Sequence, residues 1–218
     1  MNAFSPAVID DLPVWERRII GRGTREWVIR RMDCPELASH GLRDITHLEA
    51  GPMFRLVRKD WPLFMVIVCA SGQGRVRCAG EDLVLRAGHA LLVPQGTPYD
   101  LMTDGPSWIF SMLNYDPGCW SGRMPVTPRC VPLHAQPVES MIEAFYREHY
   151  GDRDPVVLRQ MVDILHAKML RLANPQQTSG RLWPVWRRVM QAPAEPWDVG
   201  RLSALAHVSD EHLRRLSR

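Results

Sequence analysis

Residues 75–93 read Arg75-Val76-Arg77-Cys78-Ala79-Gly80-Glu81-Asp82-Leu83-Val84-Leu85-Arg86-Ala87-Gly88-His89-Ala90-Leu91-Leu92-Val93. Polar and apolar residues alternate in 75–78 and again in 82–85, the two-residue period of a strand with one buried face, and 90–93 is a short continuous apolar run. Ala79-Gly80 and Ala87-Gly88 punctuate them as turns. Short strands joined by tight turns at this spacing predict a sandwich or barrel.

The same texture extends outward from about residue 24 to 135. Val66-Ile67-Val68 is β-branched, and Ser71-Gly72-Gln73-Gly74, Pro94-Gln95-Gly96-Thr97-Pro98 and Asp104-Gly105-Pro106 are further turn signals. Beyond Pro137 the period becomes helical. Val138, Met141, Ile142 and Phe145 mark one helix, 151–155 breaks it, and Leu158, Met161, Val162, Leu165, Met169 and Leu172 form the stripe of a second. That stripe docks on the sandwich, pairs with its copy in another subunit, or does both. Dimerisation through Leu158, Met161, Leu165, Met169 and Leu172, giving a homodimer, is the expectation carried forward. Residues 174–180 are polar with Pro and Gly and read as a linker.

Composition bounds the class. The chain has 218 residues, 45% hydrophobic and 23% charged, with a formal net charge of +3, as in ordinary folded proteins rather than disordered ones. The longest apolar run, 63–70, is far short of the roughly 20 residues of a membrane span. The N-terminus lacks a basic region followed by an apolar stretch, so a cytoplasmic location without a secretory signal is expected. Five cysteines without a Cys-x-x-Cys pair read as reduced, mostly buried thiols. The charge is unevenly placed: 1–180 is neutral overall, whereas 181–218 holds seven arginines against four acids. A basic cluster is the footprint of phosphate binding, although a solvated basic helix has the same composition.

That basic segment reads as three short helices. Trp183, Trp186, Val189 and Met190 face inward on the first, and Leu202, Leu205 and Ala206 on the second. Ser209 caps the third, which carries Asp210 and Glu211 in its first turn and Leu213 and Leu216 inward. Two short helices joined by His207-Val208-Ser209, with arginines outside, follow the plan of a helix-turn-helix.

Residues 197–216, with Leu205-Ala206, Val208-Ser209 and His212-Leu213-x-Arg215, resemble the first helix-turn-helix of AraC/XylS-type transcriptional regulators. The resemblance implies DNA contacts from Ser209, Glu211, Arg214 and Arg215. The family's DNA-binding domain continues into a second helix-turn-helix, so the chain is expected to hold a truncated one. Gly88 to Tyr99 resembles the second cupin motif, with Tyr99 where metal-dependent cupin enzymes place a histidine ligand. No His-x-His occurs, the eight histidines are scattered, and no Gly-x-Ser-x-Gly is present. Neither a metal, a cofactor nor a catalytic residue is therefore expected.

The fold class these resemblances imply is α+β: an N-terminal cupin-like jelly-roll barrel, a helical hairpin and a partial all-α helix-turn-helix. The implied domains are an arm (1–15), an effector-binding barrel (16–136), a dimerisation hairpin (137–173), a linker (174–180) and 181–218. Relatives that bind a sugar hold it through an arginine on an early strand and side chains on later ones, positions that fall on Arg58 and on Leu101, Phe110 and Met112, and Tyr99 is expected to join them as a ligand-binding residue. Apolar residues at the later positions imply an apolar or carboxylate-bearing small-molecule effector anchored by Arg58. A salt bridge from Arg58 to Asp60 or Asp82, and a plain core role for Phe110 and Met112, remain open beside this. Residues 1–15 either fold over the ligand as an arm or form a tail. The function implied is effector-responsive DNA binding without a membrane. The alternatives are a metal-dependent cupin enzyme, an isomerase or dioxygenase, and a dimerising effector-binding protein that does not bind DNA.

Overall fold

The computed structural model describes residues 5–9, 12–122, 124–133, 135–174, 185, 188–189, 191–193 and 195–216. These fall into two compact units, 1–173 and 174–218.

The first unit is built on ten antiparallel strands: β1 (Ser5–Ile9), β2 (Leu12–Ile19), β3 (Arg25–Arg30), β4 (Leu42–Ala50), β5 (Arg55–Lys59), β6 (Phe64–Cys78), β7 (Glu81–Arg86), β8 (His89–Val93), β9 (Tyr99–Tyr115) and β10 (Arg129–Pro132). The long strands β6 and β9 pair along their whole length, with register breaks between Cys69 and Ser71 and between Gly72 and Gly74. The breaks fold one sheet into two leaves. One leaf runs β3–β4–β9–β6–β8–β10 through Phe64–Cys69 and Phe110–Tyr115. The other runs β1–β2–β5–β9–β6–β7 through Tyr99–Thr103 and Gly74–Cys78. Glycine is required at the bend. Gly72 has φ +70°, and a Cβ on Gly74 would lie 2.4 Å from the Trp108 ring.

Two cores follow. Between the leaves lie Leu48, Leu56, Met65, Ile67, Val76, Leu91, Leu101, Trp108, Phe110 and Met112. On the outer face of the first leaf lie Ile45, Phe64, Val66, Val68, Leu113 and Tyr115, covered by helices α1 (Ala135–Tyr150) and α2 (Pro155–Ala173). Alternate residues of β6 thus serve opposite cores, which is why 63–70 reads as a continuous apolar run rather than as an alternation. Asp154 caps α2, its Oδ1 accepting from the Val156 N–H at 2.8 Å, and Pro155 occupies the first turn where no N–H is needed.

Leu158, Leu165 and Met169 are 0–2% exposed, Leu172 is 9% exposed, and Met161 is half-buried against them, all inside the outer core of one subunit. Within one subunit the stripe packs on the sheet and α1, where Leu158, Leu165, Met169 and Leu172 are buried and Met161 stays partly exposed. The strands also begin earlier than residue 24. Strands β1 and β2 pair with each other, and β2 adds to the sheet at β5, so β2 spans the expected boundary at 15/16. Phe4 lies outside the described residues, and Trp15 is half-exposed.

In the second unit, α3 (Val199–Ala206) and α4 (Asp210–Leu216) are joined through His207, in the left-handed region at φ 52°. Asp198 caps α3 by accepting from the Arg201 N–H at 2.8 Å, and Ser209 Oγ accepts from the His212 N–H at 3.2 Å. Val185, Ala206 and Leu213 form a small core with Val199, Leu202 and Val208. Trp183, Trp186 and Met190 lie outside the described residues, as does the Leu216 side chain.

Candidate functional site

Strand register assembles one polar row at the end of the inter-leaf core. Glu16 on β2 lies opposite Arg58 on β5, Arg58 opposite Tyr99 on β9, and Tyr99 opposite Cys78 on β6. Arg58 shares its strand face with Leu56, so its guanidinium enters the core and is 4% exposed. Its Nε donates to Glu16 Oε2 at 2.9 Å, its Nη1 donates to the Tyr99 hydroxyl at 3.0 Å, and its Cζ lies 4.1 Å from the centroid of the buried Trp61 ring. The partner is therefore Glu16, not Asp60 or Asp82. Burial disfavours the charge on Arg58, but Tyr99 and Glu16 outweigh it and raise its pKa. Burial also raises the Tyr99 phenol, against the pull of Arg58. The buried Trp61 Nε1 has no hydrogen-bond partner.

Of the other residues expected to meet an effector, Leu101, Phe110 and Met112 are 0–1% exposed and packed within the core. Phe110 stacks on Trp108 at 3.8 Å, and the Trp108 indole donates to Cys69 Sγ at 3.2 Å. They fill the space between the leaves, whereas Arg58 and Tyr99 stand together at its end.

A second concavity, of 440 Å³, lies on the outer face of the first leaf beneath α1. Trp27 and His47 are cross-strand partners on β3 and β4, and α1 contributes Glu139, Glu143, Tyr146 and Tyr150 at helical spacing. The Tyr146 hydroxyl sits 2.8 Å from the Trp27 carbonyl and 2.7 Å from that of Ile45, which fixes α1 to the sheet. His47 Nδ1 is 3.0 Å from Ser111 Oγ. Burial lowers the His47 pKa against the pull of Glu49 and Glu143, and burial together with Glu143 pushes Glu139 up to about 7. The sequence offered one signal of this cleft, a polar and aromatic stripe on α1 beside its apolar one.

Ser209 at the cap of α4 and Glu211, Arg214 and Arg215 on it are exposed around a concavity that also includes His212. The thiols of Cys34, Cys69 and Cys78 are buried and pushed up to about 12, 11 and 11, so they stay protonated at neutral pH. Among the described residues, no three His, Cys, Asp or Glu side chains converge as a metal-binding group, and no helix is long and apolar enough to cross a membrane.

A folded-over antiparallel sheet with a filled interior and helices on one leaf defines a cupin-like β-sandwich of the α+β class. Residues 40–175 match the family of the AraC-like ligand binding domain, and the chain belongs to that family. Several solved structures are similar to the chain at low identity. The AraC-like transcriptional activator CuxR is 14% identical over 93% of this chain and 79% of that one, with a TM-score of 0.49. Vicilin from Solanum lycopersicum (tomato) is 14% identical over 52% and 30%, with a TM-score of 0.39. The cupin domain of an XRE family transcriptional regulator from Enterobacter cloacae is 13% identical over 44% and 99%, with a TM-score of 0.38. No curated protein matches the sequence.

Proposed function

We propose that this protein is an effector-responsive transcriptional regulator: the sandwich binds a small carboxylate-bearing molecule and the α3–α4 pair reads DNA as a helix-turn-helix. The observation that carries the reading is the match of residues 40–175 to a ligand-binding domain family of AraC type. Arg58 supports the choice of ligand. It is a buried, always-charged fork whose present partner, Glu16, is itself a carboxylate on a separate hairpin. An effector carboxylate on Arg58 displaces Glu16 and so loosens β2 from β5. Such a ligand shifts the hairpin only by its differential affinity for the two states.

DNA reading is supported by the capped turn between α3 and α4 and by the exposed arginines on α4. Arg214 and Arg215 suit guanine O6 and N7, and Glu211 can accept from cytosine N4. Homodimerisation in this reading uses the outward face of α2, where Val156 and Ile164 are exposed.

Selection of random duplex DNA on the full chain tests the proposal. A consensus should emerge, Arg215→Ala should cost about 1–3 kcal/mol and relax one base position, and a carboxylate effector should shift the affinity. Failure to enrich any sequence overturns the DNA-reading half of the proposal. Carboxylates that bind equally well to wild type and Arg58→Ala overturn the effector half.

A further inference from the structure

The cleft under α1 is separate from the Arg58 row, being on the outer face of the other leaf. We propose that it is a binding site for an organic ammonium ion, a primary or quaternary amine with small apolar substituents. The argument begins with its walls. Ring centroids follow one another from Trp27 to His47 (5.8 Å), His47 to Tyr146 (6.4 Å) and Tyr146 to Tyr150 (6.2 Å), forming an aromatic lining along one side of a 440 Å³ space. Aromatic faces attract ammonium groups, most strongly where water is excluded. The lining is also preset: Tyr146 is held by two backbone carbonyls and His47 by Ser111, so little side-chain freedom remains to be lost on binding.

Charge selects the class of ligand. Three carboxylates, Glu49, Glu139 and Glu143, and one cation, Arg147, line the cleft. Glu143 is engaged by Arg147, and Glu49 by Arg25 at 3.4 Å in an exposed pair. Glu139 differs, because its Oε1 is shielded from solvent and has no hydrogen-bond partner. A buried carboxylate oxygen without a donor is costly; a primary ammonium donates to it, and a quaternary one offsets its charge without donating, each while resting against the rings. His47 does not compete as a cation, since its burial keeps the ring neutral at neutral pH. An anionic ligand would face three carboxylates against the single arginine, and an uncharged one would bring no counter-charge to Glu139. The volume matches a ligand of small-molecule size.

Glu139 also gives the site a pH signature. The titratable and charged groups around it are Glu143, Tyr146, Arg147 and Tyr150 on its own helix, His47 and Glu49 on β4, and the Cys69 thiol on β6. With the Glu139 carboxyl near 7, a cation binds the ionised form, and affinity rises from about pH 6 to 8.

Calorimetric titration of the full chain with choline, n-butylamine and the uncharged choline isostere 3,3-dimethylbutan-1-ol tests the assignment. At least one amine should saturate a single site, the isostere should bind at least about tenfold more weakly, and the pH dependence should vanish in Glu139→Gln together with at least about tenfold in affinity. Glu143→Gln alters an exposed side chain that does not support the fold, and should also weaken binding several-fold. Arg58→Ala should leave the amine affinity unchanged. The proposal is overturned if neither amine saturates up to about 10 mM, if the isostere binds as well as choline, or if both cleft variants bind normally. Loss of binding in Arg58→Ala alone would place the amine between the leaves, overturning the cleft and contradicting the carboxylate effector, whereas failure of the cleft variants leaves the effector proposal standing.

Discussion

Glu16→Ala tests whether the N-terminal hairpin is held by charge. In the native unit Arg58 is 4% exposed and Glu16 is 18% exposed by side chain, joined at 2.9 Å. Removing one partner of a buried pair leaves the other charge desolvated, at a cost of about 3–5 kcal/mol. Arg58 keeps the Tyr99 hydroxyl and the Trp61 face, and Glu16 lies near enough to solvent for water to enter the vacated space. The lower end, about 3 kcal/mol, is therefore expected. The reverse deletion is milder. In Arg58→Met an unbranched apolar chain lies over Trp61, and Glu16 retains Arg18 at 3.8 Å and access to water. The double variant should then be more stable than Glu16→Ala alone, because the charge that needed compensation is gone. Urea unfolding followed by far-UV circular dichroism gives the differences, and amide exchange in β1 and β2 shows whether the loss is local. If Glu16→Ala costs less than about 0.5 kcal/mol, the pair behaves as a surface ion pair, and the reasoning that places Arg58 in the core fails.

Other perturbations follow from the packing. Leu165→Ala and Met169→Ala should each destabilise the first unit by about 2–5 kcal/mol in urea unfolding, and sedimentation should show no dissociation that precedes unfolding. Gly74→Ala drives a methyl into the Trp108 indole and should cost about 1–3 kcal/mol, part of which Trp108→Leu restores; an unaffected melting temperature would refute the close approach. His166 stacks on His40 at 4.1 Å, and burial and His40 lower its pKa to about 4 against the pull of Asp163. The folded state therefore resists protonation that the unfolded chain accepts near 6.5. The stability this residue contributes is full above pH 6.5 and is lost as the pH falls through about 4. His166→Phe should flatten that limb of a stability-against-pH curve.

The sandwich was legible because its signals are local: alternation in 75–78 and 82–85 and glycine at each turn. The helices were equally legible from their period. What covered them was not, because an apolar stripe announces that a face will be buried without saying by what. Leu165 and Met169 fit a subunit interface and a sheet equally well until α2 is placed on Phe64, Val66 and Val68. Arg58 was found through its resemblance to a ligand anchor, but its partner lay 42 residues away on a strand whose charges broke the apolar alternation, and only strand register brings them together. The cleft under α1 was the least legible. Trp27, His47 and Glu139 are unremarkable in their own segments and become a lining only when one helix crosses two strands.

Because β6 belongs to both leaves and both cores, the unit has no seam along which its halves can part. From Phe64 under the helices to Cys78 beside Tyr99 it is a single extended chain of 15 residues, with a contour of roughly 50 Å at 3.3 Å per residue. Extended backbone has almost no slack along its axis. A displacement at the Arg58 end must be taken up in the kink at Gly72–Gly74 or travel as a push on Phe64 and the helix layer above it. Under the proposed function the kink would set the coupling: the more firmly Trp108 holds Gly72–Gly74, the more of an effector's push at Arg58 the strand would pass on to the helices.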